Sequence, residues 1–465
     1  VYHDTIAAIA TPPGEGAIGV VRLSGPSAGE LAARLFRMGR RDRRVTPDEL
    51  ESHRLFYGTI VDPESERKID EVMLVRMAQP RSYTREETVE ISCHGGWTSV
   101  REVLALCLRE GARHAEPGEF TLRAFLNGRI DLSQAEAVAG VVSARTPESL
   151  SLAVEELRGS LTARLRPARD RLVETLAYLD AAADFPDDEI PAHDVSPSLD
   201  AAAEVLASVI ESANTGLLYR EGVRVAIVGR PNVGKSSLLN ALLGTDRAIV
   251  TEVAGTTRDV ISETVNLGGV PATLIDTAGI TETADIVERI GIERSRQEAT
   301  TSGLILFVMD RSEPLREQDR LVADLIRPRV VTGDVVVVLN KCDLPAQIGR
   351  TDVEVLLGSE AVPFVEVSTK SRQALDELRQ VLQTRLLPRT AGAAEPALVT
   401  LRQYEALRRS AASVEAARLA WRQGIPLDLL AVDVRAALQA VGEVTGEQVS
   451  EAVLDEIFSR FCIGK

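Results

Sequence analysis

Over residues 1–118 the apolar positions gather in short runs bounded by polar ones: TIAAIA (5–10), AIGVVRL (17–23), RLFYGTIV (54–61), EVMLVRM (71–77) and ETVEIS (87–92). These short β-type runs, rich in β-branched residues, predict strands. WTSVREVLALCLREG (97–111) instead repeats its apolar residues every three or four positions, which predicts a helix stopped by Gly111. The segment reads as a compact α/β domain.

From 119 to 221 the period becomes helical. Leu150, Val154, Leu157, Leu161, Leu165, Leu172, Leu176 and Leu179 form one apolar stripe on a helix or helix pair, with a kink expected at Pro167. ADFPDDEIPAHDVSPS (183–198) reads as an acidic loop. Residues 222–387 alternate apolar strand runs (VRVAIVG, ATLIDTAG, LILFVMD, VVVVLNKCD, PFVEVS) with helical stretches, as a parallel sheet does. Residues 388–465 are helical again. The two helical stretches, 119–221 and 388–465, are expected to pack together, with the α/β domain inserted between them. The fold class is thus multidomain α/β plus α.

Composition narrows the function. At 465 residues the chain has room for about three domains of ~150 residues. A net charge of −16 argues against a broad basic surface for nucleic acid, and 2 Trp, 6 Tyr and 9 Phe argue against a base-stacking platform. RNA, if bound, is bound locally or with a partner. No apolar run approaches the ~20 residues that span a bilayer, and VYHDTIAAIATPPGEG (1–16) does not read as a secretory signal. The four cysteines form no C-x-x-C pair and, with five histidines, no zinc spacing, so a reducing cytoplasm is the expected home.

The chemistry is concentrated in residues 222–387. GRPNVGKS (229–236) fits G-x-x-x-x-G-K-[ST] and directly follows an apolar strand. Gly229 and Gly234 let the backbone curl its N–H groups around phosphate oxygens. Lys235 reaches the β and γ phosphates, and Ser236, followed by Ser237, opens the next helix with a hydroxyl for Mg²⁺. Asp276 in IDTAG (275–279) is placed to hold Mg²⁺ through water, and the Gly279 N–H to meet the γ phosphate. Thr257 in GTTRD (255–259) is the expected switch-loop Mg²⁺ ligand. NKCD (340–343) selects the base: Asp343 accepts from guanine's ring N–H and exocyclic amine, a donor pair adenine lacks. Asn340 ties the loops, the Lys341 stem covers the base, and Ser368, Thr369 and Lys370 close over guanine. In this order, each at a strand end, the motifs make GTP the ligand. Ile280 stands where many GTPases carry a water-orienting glutamine. GEGAIG (14–19) also fits G-x-G-x-x-G, but a β-type run follows it rather than a helix, so it reads as a glycine-rich turn and not a dinucleotide site.

With these motifs, TIAAIATPPGEGAIGVVRLSG (5–25), PGEFTLRAFLNGRIDLSQAEA (117–137), DFPDDEI (184–190) and the terminal FCIGK (461–465), nearly the whole chain resembles the bacterial tRNA-modification GTPase family MnmE, also called TrmE. The resemblance implies four segments: 1–118, binding a tetrahydrofolate and dimerising; 119–221 and 388–465, helical; and 222–387, a Ras-like G domain. It implies a 5-formyl-tetrahydrofolate or related site at Arg22, Glu90, Arg129 and Lys465, position 129 often being lysine in the family. Read alone, without the resemblance, Arg22 and Glu90 are a strand-end ion pair or a solvated face rather than a ligand site. The resemblance implies K⁺ at Asn232, Thr251, Val253 and Thr256, where a cation spreads transition-state charge. It also implies that Glu288 orients the attacking water; alone, Glu288 reads as a helix carboxylate near Arg289 or Arg294. The family commonly carries arginine where this chain has Thr281. The implied activity is GTP hydrolysis coupled to adding a carboxymethylaminomethyl group at the five position of the tRNA wobble uridine. The implied partners are a second copy of the chain, the flavoprotein MnmG (GidA) in a heterotetramer, and tRNA, with no membrane. CIGK is a poor prenylation signal, and the tail is expected to carry Cys462 toward the modifying centre. The competing expectation is a regulatory or ribosome-assembly GTPase with no part in covalent RNA modification.

Overall fold

The computed structural model describes residues 3–184, 191, 193–244, 262–276, 302–387 and 395–465. Their contacts form two units: Val1–Ala139 with Leu157–Thr162 and Arg435–Lys465, and Gly140–Glu156 with Ala163–Val434.

The strands of the first unit are β1 (Ile6–Ile9), β2 (Ile18–Ser24), β3 (Phe36–Met38), β4 (Arg43–Arg44), β5 (Leu55–Val61), β6 (Lys68–Met77), β7 (Thr88–His94) and β8 (Arg113–His114), of which β1, β2, β5, β6 and β7 are the expected runs. They form one sheet in the order β4-β3-β5-β6-β7-β2-β1-β8, antiparallel except for the β1–β8 pair. The short β3, β4 and β8, and the helix Ala28–Leu35, were not expected from periodicity. That helix and the expected helix Trp97–Arg109 supply Leu31, Leu35, Val103 and Cys107 to a core that takes Val21, Leu23, Val89 and Ile91 from the sheet. The residues between these, Arg22 and Glu90, face the other way and are register partners. GEGAIG leads straight into β2, so no helix receives a pyrophosphate there. On the second face the helix Glu119–Leu126 brings Phe120 against Ile6 and Ala8. The helix Glu451–Ser459 packs Ile457 and Phe458 on Leu132 and Ala135.

The second unit holds a six-stranded sheet: β9 (Val223–Val228), β10 (Ser262–Leu267), β11 (Val270–Asp276), β12 (Leu304–Asp310), β13 (Val335–Asn340) and β14 (Phe364–Glu366), in the order β10-β11-β9-β12-β13-β14. Only the β10–β11 pair is antiparallel. The parallel strands read as unbroken apolar runs because both faces are covered. One face meets the helices Lys235–Leu243 and Leu375–Leu386, the other Glu317–Val331 and Arg350–Leu357. The helices Ser196–Glu221 and Leu401–Arg422 lie along one another. Where the chain enters the second of them, a Cβ on Gly216 would stand 1.8 Å from Ala397 O, so only glycine admits this approach. The leucine stripe falls on a helix pair, Pro147–Leu157 and Ser160–Asp184, the latter assigned as one helix with Pro167 inside it. Leu161, Leu165, Leu172 and Leu179 are buried, but Leu150 is 43% exposed and does not join the core. Among the described residues no helix is long and apolar enough to cross a membrane.

Candidate functional site

The end of β9 delivers the chain into the phosphate loop. Gly229 has φ +151° and a Cβ there would lie 2.2 Å from Val308 O, while Gly234 has φ +100° and a Cβ 2.2 Å from Asn340 Nδ2. Asn232 also takes the left-handed region, at φ +64°. These angles turn the loop back on itself at the N-terminus of the helix Lys235–Leu243, where backbone N–H groups and the helix dipole favour an anion. Lys235 is buried, and its Nζ donates to Gly229 O (2.7 Å) and Arg230 O (2.8 Å). Burial pushes its ammonium below the usual lysine range, with the Asp276 carboxylate opposing that shift. Ser236 Oγ donates to Asp276 Oδ2 at 2.6 Å, so the hydroxyl and carboxylate expected at Mg²⁺ come together from two elements 40 residues apart. An all-oxygen pair beside a phosphate cradle suits that hard cation.

The base end is built by β13 and the loop after β14. Asn340 is fully buried; its Nδ2 donates to Val233 O at 2.8 Å and its Oδ1 accepts from Thr369 N at 3.4 Å. Ser368 Oγ donates to Asp343 Oδ1 at 2.7 Å, which holds the Asp343 carboxyl below its ordinary range and fixes one oxygen. Lys341, at φ +62°, stretches its stem between the two loops: Nζ donates to Asp310 Oδ2 (2.6 Å) and Asn232 O (3.2 Å). Two supporting residues were missed in the sequence. Asp310 is a buried acid ending the otherwise apolar run LILFVMD, and that break in pattern was the available signal. Arg230, inside the phosphate loop, pairs with Glu313 (2.7 Å) and Asp319 (3.3 Å), partners that no local pattern reveals. Lys370 brings a positive charge that helps lower the Asp343 carboxyl, and among the described residues no bond of Ser237 bears on the site. Thr251, Val253, Thr256, Thr257, Gly279 and Glu288 lie outside the described residues, as do Ile280 and Thr281.

The first unit assembles a second group of side chains. Arg22 Nε and Nη2 both meet Glu90 Oε1 at 2.8 Å, the ion pair that β2–β7 register dictates. Arg22 Nη1 donates to Gly464 O at 3.1 Å, so the C-terminal tail ends on this pair. Phe120 N donates to Lys465 O at 3.2 Å, and Ile463 bridges to Pro117. Gly464 has φ +93°, and a Cβ would stand 2.3 Å from Ile9 O. Cys462 is an exposed free thiol. Arg129 Nη1 donates to Tyr83 O at 3.0 Å. Arg22, Glu90, Arg129 and Lys465, scattered over the sequence, therefore share one unit and, through Tyr83 and the tail, one neighbourhood. Tyr83 was also missed; it sits in a loop without periodicity.

The family described as MnmE helical domain matches residues 132–462, and the one described as GTP-binding protein TrmE N-terminus matches residues 5–129. The tRNA modification GTPase MnmE of Roseiflexus sp. (strain RS-1) is 47% identical over 471 residues, covering 100% of both chains. That of Geobacter sulfurreducens is 46% identical over 468 residues, covering 100% of this chain and 99% of its own. That of Alkaliphilus oremlandii is 43% identical over 466 residues, covering 99% of each. A phosphate loop and a guanine-type loop bound into one frame, and likeness along the full length, lead to one conclusion: this chain is a GTP hydrolase and belongs to the MnmE family of tRNA modification GTPases.

Proposed function

We propose that the chain hydrolyses GTP to drive the addition of a carboxymethylaminomethyl group at the five position of the wobble uridine of tRNA, in the cytoplasm, as a homodimer working with the flavoprotein MnmG in a heterotetramer. The observation that supports this reading is the single frame in which Asn340 ties the loop carrying Lys235 and Ser236 to the loops carrying Asp343 and its partner Ser368. An anionic phosphate offsets the desolvation that lowers the Lys235 pKa, so nucleotide and lysine charge stabilise each other. Ser236 and Thr257, with Asp276 through water, would hold Mg²⁺, which would neutralise phosphate charge. Asn232, with Thr251, Val253 and Thr256, holds K⁺, and Glu288 orients water in place of the glutamine that Ile280 replaces.

The segment 1–118 is proposed as the folate-binding and dimerisation domain, 222–387 as a G domain inserted into a helical domain made of 119–221 and 388–465. Arg22, Glu90, Arg129 and Lys465 take a 5-formyl-tetrahydrofolate or a relative as one-carbon donor. Cations beside an aromatic ring suit a ligand with flat rings and a glutamate carrying two carboxylates. The test is mass spectrometry of wobble nucleosides from a strain lacking the chain. Loss of the modified uridine is expected; unchanged nucleosides would leave a GTPase with some other role, such as ribosome assembly.

A further inference from the structure

The loop between β6 and β7 carries a residue that the proposed function does not use. The Tyr83 ring lies under two guanidinium groups, 4.7 Å from that of Arg129 and 5.8 Å from that of Arg22. Its hydroxyl shares a 2.9 Å hydrogen bond with the buried Thr121 hydroxyl, and its ring packs with Ile6, Ala8 and Phe120. The loop is pinned on both sides. Asn127 Nδ2 donates to Thr84 O (2.8 Å), Arg85 Nη1 donates to Asn127 O (3.0 Å), and Thr84 and Ser24 share a 2.6 Å hydroxyl bond. Tyr83 is thus a fixed aromatic face, not a mobile side chain.

The two cations on it differ. Arg22 spends Nε and Nη2 on Glu90 and Nη1 on the tail carbonyl of Gly464, so its charge is matched and each of its three nitrogens has a partner. Arg129 is exposed, and among the described residues its guanidinium bonds only Tyr83 O, through Nη1. A guanidinium lying over a ring keeps its remaining N–H edge available, and that edge matches a carboxylate. We propose that Tyr83 is a positioning residue of the tetrahydrofolate site: its ring and carbonyl aim Arg129 at a ligand carboxylate, while Arg22 anchors the C-terminal tail instead of touching that carboxylate. This rests on the folate reading given above.

The experiment is calorimetric titration of 5-formyl-tetrahydrofolate into the full-length protein and its Tyr83→Phe, Tyr83→Leu and Arg129→Ala variants. Tyr83→Phe keeps the face and is expected to bind within about twofold of wild type, whereas Tyr83→Leu weakens binding about tenfold, equivalent to about 1.4 kcal/mol. Leucine retains apolar bulk against Ile6 and Phe120, so a role confined to packing would leave it close to the phenylalanine variant. In the Arg129→Ala background Tyr83→Leu is expected to cost nothing further. Tyr83→Met replaces the leucine variant should that fail to fold. Tight binding by wild type and Tyr83→Leu alike overturns the assignment and leaves the folate reading standing, as does full additivity with Arg129→Ala. No uptake by wild type overturns the folate reading and the Tyr83 assignment with it.

Discussion

Asp343 and Gly464 show two ways in which one side chain, or its absence, decides an outcome. The Asp343 carboxylate accepts; an amide there donates on one side. Asp343→Asn is therefore expected to weaken GTP binding about 100-fold and to raise the preference for xanthosine triphosphate, measured as competition between the two nucleotides. A carboxylate that served only to hold Ser368 would leave the preference unchanged. Gly464 sits at φ +93° with Ile9 O in the space a Cβ would fill. Gly464→Ala is expected to lift the tail, cost about 1 kcal/mol or more, and speed hydrogen exchange at the Phe120 amide, which donates to Lys465 O. Unaltered exchange there would mean the tail tolerates the methyl group.

Longer pieces of the chain differ in how plainly they announce themselves. β9, β12 and β13 are legible because a strand covered on both faces must be apolar throughout. Leu306, inside β12, is fully buried, and Leu306→Ala is expected to destabilise the protein by about 2–5 kcal/mol in urea titrations. A loss under about 0.5 kcal/mol would mean that the surrounding core collapses into the gap. β3, β4 and β8 escaped notice because two or three residues are too few to set a period. Their existence depends on neighbouring strands, and nothing local requires them. The Arg22–Glu90 pair was legible only as two alternatives. The choice between ion pair and solvated face waits on β2–β7 register, which joins residues 68 apart.

Charge networks act across whole units. Arg123 is fully buried with Glu119, Asp4 and Glu86 around it. Burial alone would raise the Glu119 carboxyl, but bonds from Arg113, the Glu116 backbone and Arg123 bring it below its ordinary range. A folded pKa below the unfolded value of about 4.3 means that the native state binds fewer protons. The stability is then fully present above that pH and is lost as pH falls through the lowered value. Unfolding followed from pH 7 to 3 is expected to be flat in this contribution to about pH 5 and to fall below about 4. Glu119→Gln is expected to cost about 3 kcal/mol at pH 7, because it strips a partner from a buried guanidinium, and to flatten the acid limb. An acid limb as steep as that of wild type would place the proton uptake elsewhere. In residues 222–387, the K⁺ site proposed at Asn232, within the phosphate loop, motivates a cation test. GTP turnover is expected to be about tenfold or more faster in K⁺ than in Na⁺ at equal ionic strength; equal rates would remove Asn232 from any ion site.

The sequence by itself determined the buried apolar strand runs, the phosphate loop and the guanine motif, because each depends on residues adjacent in the chain and on strict local geometry: an unbroken apolar run, glycines at positive φ, a hydroxyl opening a helix. Tertiary structure alone decided that Asp310 and Arg230 brace the nucleotide loops, and that Arg22 grips the tail beside Tyr83 and Arg129. Those contacts join elements tens to hundreds of residues apart, and only strand register and packing bring their atoms within bonding distance.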